Sequence, residues 1–262
     1  MYNSKELIRV ANLKVVTKNN QNSKTILNDV SLSLDNNSIN SVIGENGNGK
    51  TTLANALIGI LDKSELKISG EIVFKGKNLL ELEQDELNKI RALEFGYIPQ
   101  NAFTTFDPIL KIESQIRELS KIRNFSMDEF IEHMEYLSLK DYKKILSSYP
   151  FQLSGGMLQR LAIIRAIINR PKFLIADEPT SALDKPIANR VIEYFIEFIE
   201  NGGTILFITH DIKTALKISS RIIYLKNGNV LFNGLSNEIS NFTEMPRAEL
   251  INLFIALKDF KK

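Results

Sequence analysis

Nine consecutive residues, Gly44-Glu45-Asn46-Gly47-Asn48-Gly49-Lys50-Thr51-Thr52, have the spacing of a phosphate cradle: a glycine, four residues, then Gly-Lys-Thr. Glycine leaves the backbone N–H groups free to close around an anion that a side chain would block. Lys50 would bring a point charge to the β- and γ-phosphates, and the Thr51 hydroxyl would ligate Mg²⁺. The apolar pair Val42-Ile43 precedes the loop, and Leu53, Leu57 and Ile60 follow it at helical spacing. The phosphates would therefore sit on a helix N-terminus. A loop of this kind implies a nucleotide and does not say which kind of nucleotide-using protein holds it.

Four further groups could act on such a nucleotide. Asp177-Glu178 follows the short apolar run Phe173-Leu174-Ile175-Ala176, so both carboxylates should emerge at a strand's C-terminal end, where open α/β sheets bind ligands. Asp177 would hold Mg²⁺, directly or through water, which relieves the repulsion between adjacent acids and leaves Glu178 to polarise an attacking water. His210 follows the apolar run Thr204–Ile208 at a second such edge, and its imidazole, neutral or protonated, could bond a γ-phosphate. Gln100 ends Phe95-Gly96-Tyr97-Ile98-Pro99-Gln100, and its carbonyl can ligate metal or accept from water. Leu153-Ser154-Gly155-Gly156-Met157-Leu158-Gln159-Arg160 places two glycines after a serine at a helix start, a second anion-accepting N-terminus. With no phosphate of its own in view, it would serve the nucleotide of another copy.

The elements that must position these groups can be read around them. The first forty residues read as short strands, with Ile26–Leu34 ending in strict alternation and Asn19–Ser23 as a loop. Ser69–Gly76 reads as a strand ending in a turn. From 101 to 150 the pattern turns helical: Ser126 and Glu129 have capping-box spacing, and Phe130, Met134 and Leu137 share a face. Met157, Leu161, Ile164 and Ile168 mark a helix that must stop before Pro171, and Ile187, Val191, Phe195 and Phe198 another, with Asp184 as its N-cap. Strand–helix alternation with continuous apolar strands predicts a parallel sheet covered on both faces.

Composition narrows the classes. The chain has 262 residues, 44% hydrophobic and 24% charged, with a net charge of +2, so nothing in the balance calls for nucleic acid. It has no cysteine, which removes thiol catalysis, disulfides and cysteine-bound metal. The opening residues lack an apolar signal segment, and no apolar run approaches the roughly 20 residues of a membrane span, so any membrane association should come through a partner.

Taken together, Gly44–Thr52, Gln100, Leu153–Gln159, Asp177-Glu178, Ser181–Asp184 and His210 resemble an ABC-transporter ATP-binding subunit, from about residue 5 to residue 235. The resemblance implies an α/β fold: a P-loop NTPase (RecA-like) core with an N-terminal antiparallel β-subdomain and an inserted α-helical subdomain. It divides the chain into a core (1–100 and 151–235), a helical subdomain (101–150) and a helical tail (236–262) with an apolar stripe at Leu250, Leu253, Leu257 and Phe260. It implies a head-to-tail dimer with a second ATPase subunit, identical or not, clamping two ATP molecules. Gly44, Glu45, Asn46, Gly47, Asn48, Gly49, Lys50, Thr51 and Thr52 would bind phosphate. Thr51, Gln100 and Asp177 would surround Mg²⁺, Glu178 would be the general base and His210 the γ-phosphate clamp. Ser154, Gly155, Gly156 and Gln159 would meet the partner's ATP. The implied partners are integral-membrane permeases at the cytoplasmic face and, indirectly, an extracytoplasmic binding protein; no nucleic acid is expected.

Finer features, Tyr97–Gln100, Phe106-Asp107-Pro108-Ile109-Leu110, Ser148–Gln152 and Met157–Arg160, resemble the short nickel, metal–metallophore or peptide importer branch. No aromatic stands near Val15–Thr17 to stack on adenine, and Asn40-Ser41 is polar for a strand entering such a loop. Phe103, Phe106 and Ile109 would either line a groove for a permease helix or fill the helical core. A non-transport ABC ATPase is the alternative reading, whereas a GTPase is disfavoured because Asn88-Lys89-Ile90-Arg91 lacks an aspartate to read guanine.

Overall fold

The computed structural model describes residues 6–18, 23–123 and 125–239. Residues 1–5, Asn19–Asn22 and the tail positions Leu250, Leu253, Leu257 and Phe260 lie outside them. In chain order the elements are β1 (Glu6–Thr17), β2 (Thr25–Asp35), β3 (Ile39–Ile43), α1 (Lys50–Ile58), β4 (Leu66–Phe74), β5 (Lys77–Asn78), α2 (Gln84–Glu94), β6 (Phe95–Ile98), α3 (Ile112–Arg123) and α4 (Met127–Tyr136). There follow α5 (Tyr142–Ser147), α6 (Gly155–Ile167), β7 (Phe173–Asp177), α7 (Lys185–Glu200), β8 (Thr204–Ile208), α8 (Ile212–Ile218), β9 (Arg221–Lys226) and β10 (Asn229–Leu235). The described residues group into two compact units, those up to Ala92 with those from Thr204 on, and those between Leu93 and Gly203.

The first unit holds an antiparallel sheet in the order β2-β1-β4-β5. Its opening strands are long rather than short: β1 has 12 residues and β2 has 11. Their length is kept by bulges inside them. Asn12 and Asp29 take left-handed φ of 51° and 53°, and the register shifts between Ala11 and Lys14, so one extra residue is absorbed without ending the ladder. Alternation resets across each bulge, leaving Ile8, Val10, Leu13, Val15, Leu27, Val30, Leu32 and Leu34 buried.

In the same unit β3 lies parallel between β8 and β9, and β10 pairs antiparallel with β9. All five residues of β3 are buried, including Asn40 and Ser41. Burial of an amide requires partners, and Asn40 finds them on the preceding strand end. Its Oδ1 accepts from Asp35 N at 3.0 Å and its Nδ2 donates to Asp35 O at 3.1 Å, as a paired backbone would. The Arg221 guanidinium bonds both Asp35 carboxylate oxygens, at 3.0 and 3.3 Å, and the Ser41 hydroxyl meets that of Ser219. The polar pair in the strand is thus a buried staple. Asn40→Val is expected to destabilise the protein by about 1–3 kcal/mol, because Asp35 N loses its acceptor on Asn40 and Asp35 O keeps only the Ser38 hydroxyl of its two side-chain donors; urea unfolding, read as a lower midpoint at unchanged slope, checks it.

The second unit pairs β6 parallel with β7, register Ile98↔Ala176, and surrounds them with helices. The Ser126 hydroxyl accepts from Glu129 N at 3.0 Å and opens α4, whose Phe130 and Met134, with Leu137 beyond it, are fully buried. Helix α6 runs from Gly155 to Ile167 and stops before Pro171; Leu158, Gln159 and Leu161–Ile164 are all buried, so it is covered on several sides rather than along one stripe. Asp184 stands at the N-cap of α7, without a side-chain cap bond. Of the three aromatic and aliphatic candidates after Gln100, Phe106 is core, while Phe103 and Ile109 are exposed at 46% and 78%. Among the described residues no helix is long and apolar enough to cross a membrane.

Candidate functional site

In the first unit the chain leaves β3 at Ile43 and turns at once into the glycine loop. Gly44 has φ 148°, and a Cβ there would stand 2.2 Å from Leu225 O. Gly49 has φ 98°, and a Cβ would press on Leu27 Cδ2 at 2.8 Å. Both must be glycine, because any side chain would push the loop off the sheet beneath it. Asn48 pins the far wall: its Oδ1 accepts from Asn227 N at 3.0 Å and its carbonyl from Gly228 N at 3.2 Å. That contact uses the Asn227-Gly228 turn of the β9–β10 hairpin, an Asn-Gly signal that the sequence carries openly.

Lys50 is only 6% exposed, and its ammonium donates to the carbonyls of Gly44 at 2.7 Å and Glu45 at 3.0 Å. It is therefore curled back over the loop, holding a positive charge at its centre. Helix α1 begins at Lys50 with glycine at its N-cap and no acidic residue in its first turn, so its dipole and early N–H groups face the loop. Thr51 is exposed and Thr52 half-buried at that first turn. The helix ends sooner than its apolar spacing predicts: Gly59 takes φ 74° and caps it, leaving Ile60 44% exposed beyond the end.

His210 belongs to the same edge. Val42 and Ile208 are register partners, so β3 and β8 finish side by side, and the buried Thr209 donates its N–H to Val42 O at 3.2 Å. The Thr209 hydroxyl accepts from Asp211 N and Asp211 caps α8, fixing the backbone on both sides of an exposed His210.

In the second unit β6 and β7 also finish together, so Pro99-Gln100 and Asp177-Glu178 leave one edge in neighbouring positions. Gln100 is exposed, while Asp177 and Glu178 are 2% and 6% exposed. Tyr97, on β6, has its hydroxyl pushed up to about 12 by burial and then by the Asp177 charge. Glu178 has φ 49°, costly for a residue with a side chain, and its carbonyl accepts from Ser181 N at 3.2 Å and Ser181 Oγ at 2.9 Å. A strained turn tied down by its own loop is a way of fixing where one carboxylate points.

The serine–glycine–glycine start of α6 is exposed at Ser154 and Gly155, with open space beside Gly155. The Ser154 hydroxyl caps Met157 N at 3.2 Å. Gly156 backs onto the Ser181–Asp184 segment, where a Cβ would meet Ala182 O at 3.3 Å. Gln159 is buried, its Nε2 without a hydrogen-bond partner, and so lies off the exposed helix end. Arg160 has a role its place in the motif does not announce: it bonds Gly156 O, Leu137 O and Ser138 O at 3.0, 3.0 and 3.1 Å, bracing the start of α6 against the end of α4.

Each of the side chains expected to ligate Mg²⁺ (Thr51 in the first unit, Gln100 and Asp177 in the second) offers oxygen, the donor type that cation takes. Among the described residues no three His, Asp or Glu side chains cluster as a metal cage.

The ABC transporter family model matches residues 27–181. The metal-staphylopine import system ATP-binding protein CntD of Staphylococcus aureus (strain NCTC 8325 / PS 47) is 38% identical over 225 residues, 84% of this chain and 83% of that protein. The oligopeptide transport ATP-binding protein OppD of Haemophilus influenzae is 33% identical over 89% of this chain and 74% of its own length. A dimeric ATP-binding cassette, MJ0796, in a post-hydrolysis state bound to ADP and Pi, superposes with a TM-score of 0.77 at 30% identity, covering 87% of this chain and 98% of that one.

Proposed function

The chain belongs to the ABC transporter family, and from that membership we propose that it powers an importer of small metal–metallophore complexes, with small peptides as the second cargo class. It is an ABC-type ATPase of α/β P-loop NTPase fold, an ATP-binding subunit of the importer kind. The observation that carries the mechanism is the exposed Ser154-Gly155 helix start, an anion-accepting end open to solvent.

Gly44–Thr52 would enclose the phosphates, with Lys50 on the β- and γ-oxygens. Thr51, Gln100 and Asp177 would hold Mg²⁺, which neutralises charge building on the phosphate oxygens. Glu178 would take the proton of the attacking water, and His210 would bond the γ-phosphate. Ser154 and the first N–H groups of α6 in one copy would grip the γ-phosphate held by its neighbour. Moving a dimer from mostly open to mostly closed needs about 5.5 kcal/mol of differential binding. Hydrogen bonds to charged groups give about 1.5–3 kcal/mol each, so several per site suffice where one would not. Losing the γ-phosphate removes those bonds and opens the dimer, and permeases at the cytoplasmic face would turn that motion into transport.

The metallophore class is favoured by the 38% identity to the metal-staphylopine protein against 33% for the oligopeptide one. Deleting the gene should abolish uptake of a labelled metal–metallophore chelate and leave labelled dipeptide uptake intact. Loss of dipeptide uptake alone overturns the cargo assignment; normal uptake of both overturns the importer reading.

A further inference from the structure

The second unit contains a cavity of about 390 Å³, within the size range of small-molecule sites. It lies where α4, the end of α6 and α7 come together. Lys172, on its wall, immediately precedes β7 and Asp177 ends that strand, so the cavity stands about 16 Å from the edge that carries Asp177. Its floor is apolar: Ile167, Ile168, Pro171 and Phe198. Backbone turns fix that floor. Arg170 takes φ 50° beyond α6, with its N–H on Ile167 O at 2.7 Å. Gly203 admits no side chain, because a Cβ would stand 2.2 Å from Phe198 Cε1.

Three polar groups on the walls have unmet capacity. Lys172 and Glu197 are exposed and, among the described residues, form no ion pair with each other or with any other group. Arg170, the other cation there, is held by Glu129 at 3.2 Å. The third group is a ring nitrogen. The buried Tyr194 hydroxyl has one hydrogen-bond partner among the described residues, His133 Nδ1 at 2.8 Å. Burial pushes the Tyr194 pKa up and the His133 pKa down, so the hydroxyl keeps its proton and the ring is neutral at neutral pH. The hydroxyl proton then goes to Nδ1, which puts the ring proton on Nε2, a donor with no acceptor among the described residues. The walls thus offer one cation, one anion and a neutral N–H beside an apolar floor. A lone anion would meet Glu197, a lone cation would meet Lys172, and an apolar molecule would use none of the three.

We propose that this cavity binds a small zwitterion with an apolar side chain, its carboxylate on Lys172 and the His133 Nε2–H and its ammonium on Glu197. A free amino acid and a short peptide share that chemistry and differ in how far apart they hold the two charges. No residue assigned to nucleotide or Mg²⁺ lines the cavity, so the site is independent of the ATPase and importer readings.

The probes are leucine and leucyl-leucine, each with an N-acetylated and a C-amidated form that lacks one charge. Calorimetric titration of the full chain should show a zwitterionic probe binding, and the tighter of the two identifies the source. Removing either charge from it should weaken binding about tenfold, the worth of one hydrogen bond to a charged group. Lys172→Gln and Glu197→Gln should each weaken the zwitterion equally, while melting and binding ATP as the unaltered chain does, since both side chains are exposed. Glu197→Gln should cost the N-acetylated probe nothing further, and Lys172→Gln should cost the amidated probe nothing further. Capped probes that bind as tightly as the zwitterion overturn the proposal in favour of a plain apolar groove. Variant losses that are the same for capped and uncapped probes overturn it too. Stabilisation by inorganic phosphate, abolished by Lys172→Gln and kept by Glu197→Gln, overturns it in favour of an anion site. No binding of either zwitterionic probe at millimolar concentration overturns it outright.

Discussion

Glu178→Gln should reduce ATP turnover by at least about a hundredfold, the lower end of what a positioned general base contributes. The amide keeps the size of the carboxylate and cannot take a proton from water at neutral pH. The backbone that aims it should survive, because Ser181 N and Oγ bond the main-chain carbonyl of residue 178, whatever side chain it carries. ATP should still bind, since Lys50 and the glycine loop are untouched. With hydrolysis blocked the γ-phosphate persists, and the head-to-tail dimer should accumulate on Mg-ATP. Single-turnover hydrolysis and size-exclusion chromatography read the two effects separately. Turnover within about threefold of the parent would remove Glu178 from the role of base, because general-base loss cannot cost so little. Lost turnover with a persistent monomer would leave the base assignment standing and remove the partner-gripping role of Ser154.

What the sequence discloses here is what is local. The glycine loop, the Ser126 cap of α4 and the two apolar strands β7 and β8 are each written within a few neighbouring residues, and each lies where its pattern puts it. The misreadings are non-local or depend on backbone conformation. Ile60 fits the helical spacing of Leu53 and Leu57, but one left-handed glycine between them ends α1 first. The strands of the first forty residues read as short and are long, because bulges at Asn12 and Asp29 are absorbed by pairing with neighbouring strands that lie elsewhere in the sequence. Asn40 looks out of place in a buried strand until Asp35 and Arg221, which is 181 residues further on, are brought against it. Arg160 closes the motif Leu153–Arg160, yet its purpose comes from the carbonyls of Leu137 and Ser138, in the turn that follows another helix. The cavity charges could not be found this way at all: Lys172 and Glu197 are 25 residues apart, and only the fold sets them on one cavity.

Lys50→Ala should abolish the stabilisation that ATP confers while changing the ligand-free protein little. The reason lies in where the ammonium already is. Lys50 is buried against Gly44 O and Glu45 O, so its desolvation is incurred before any nucleotide arrives. Its removal from the free protein gives up the bonds to Gly44 O and Glu45 O and relieves a buried charge, effects of opposite sign. With nucleotide the balance is one-sided: a point charge set against the β- and γ-phosphates is lost and nothing replaces it. At ATP a hundred times the dissociation constant, binding contributes about 2.7 kcal/mol to stability. For a chain of this size that corresponds to roughly 5–10 °C in melting temperature. The variant should melt near the parent without ATP and show almost none of that rise with it, and calorimetric titration should give an affinity at least about tenfold weaker. An unchanged ATP-induced rise would place the phosphates somewhere other than Gly44–Thr52. A collapse of the ligand-free protein would instead make Lys50 a structural residue of the loop, and the two results are separated by measuring both states of the same preparation.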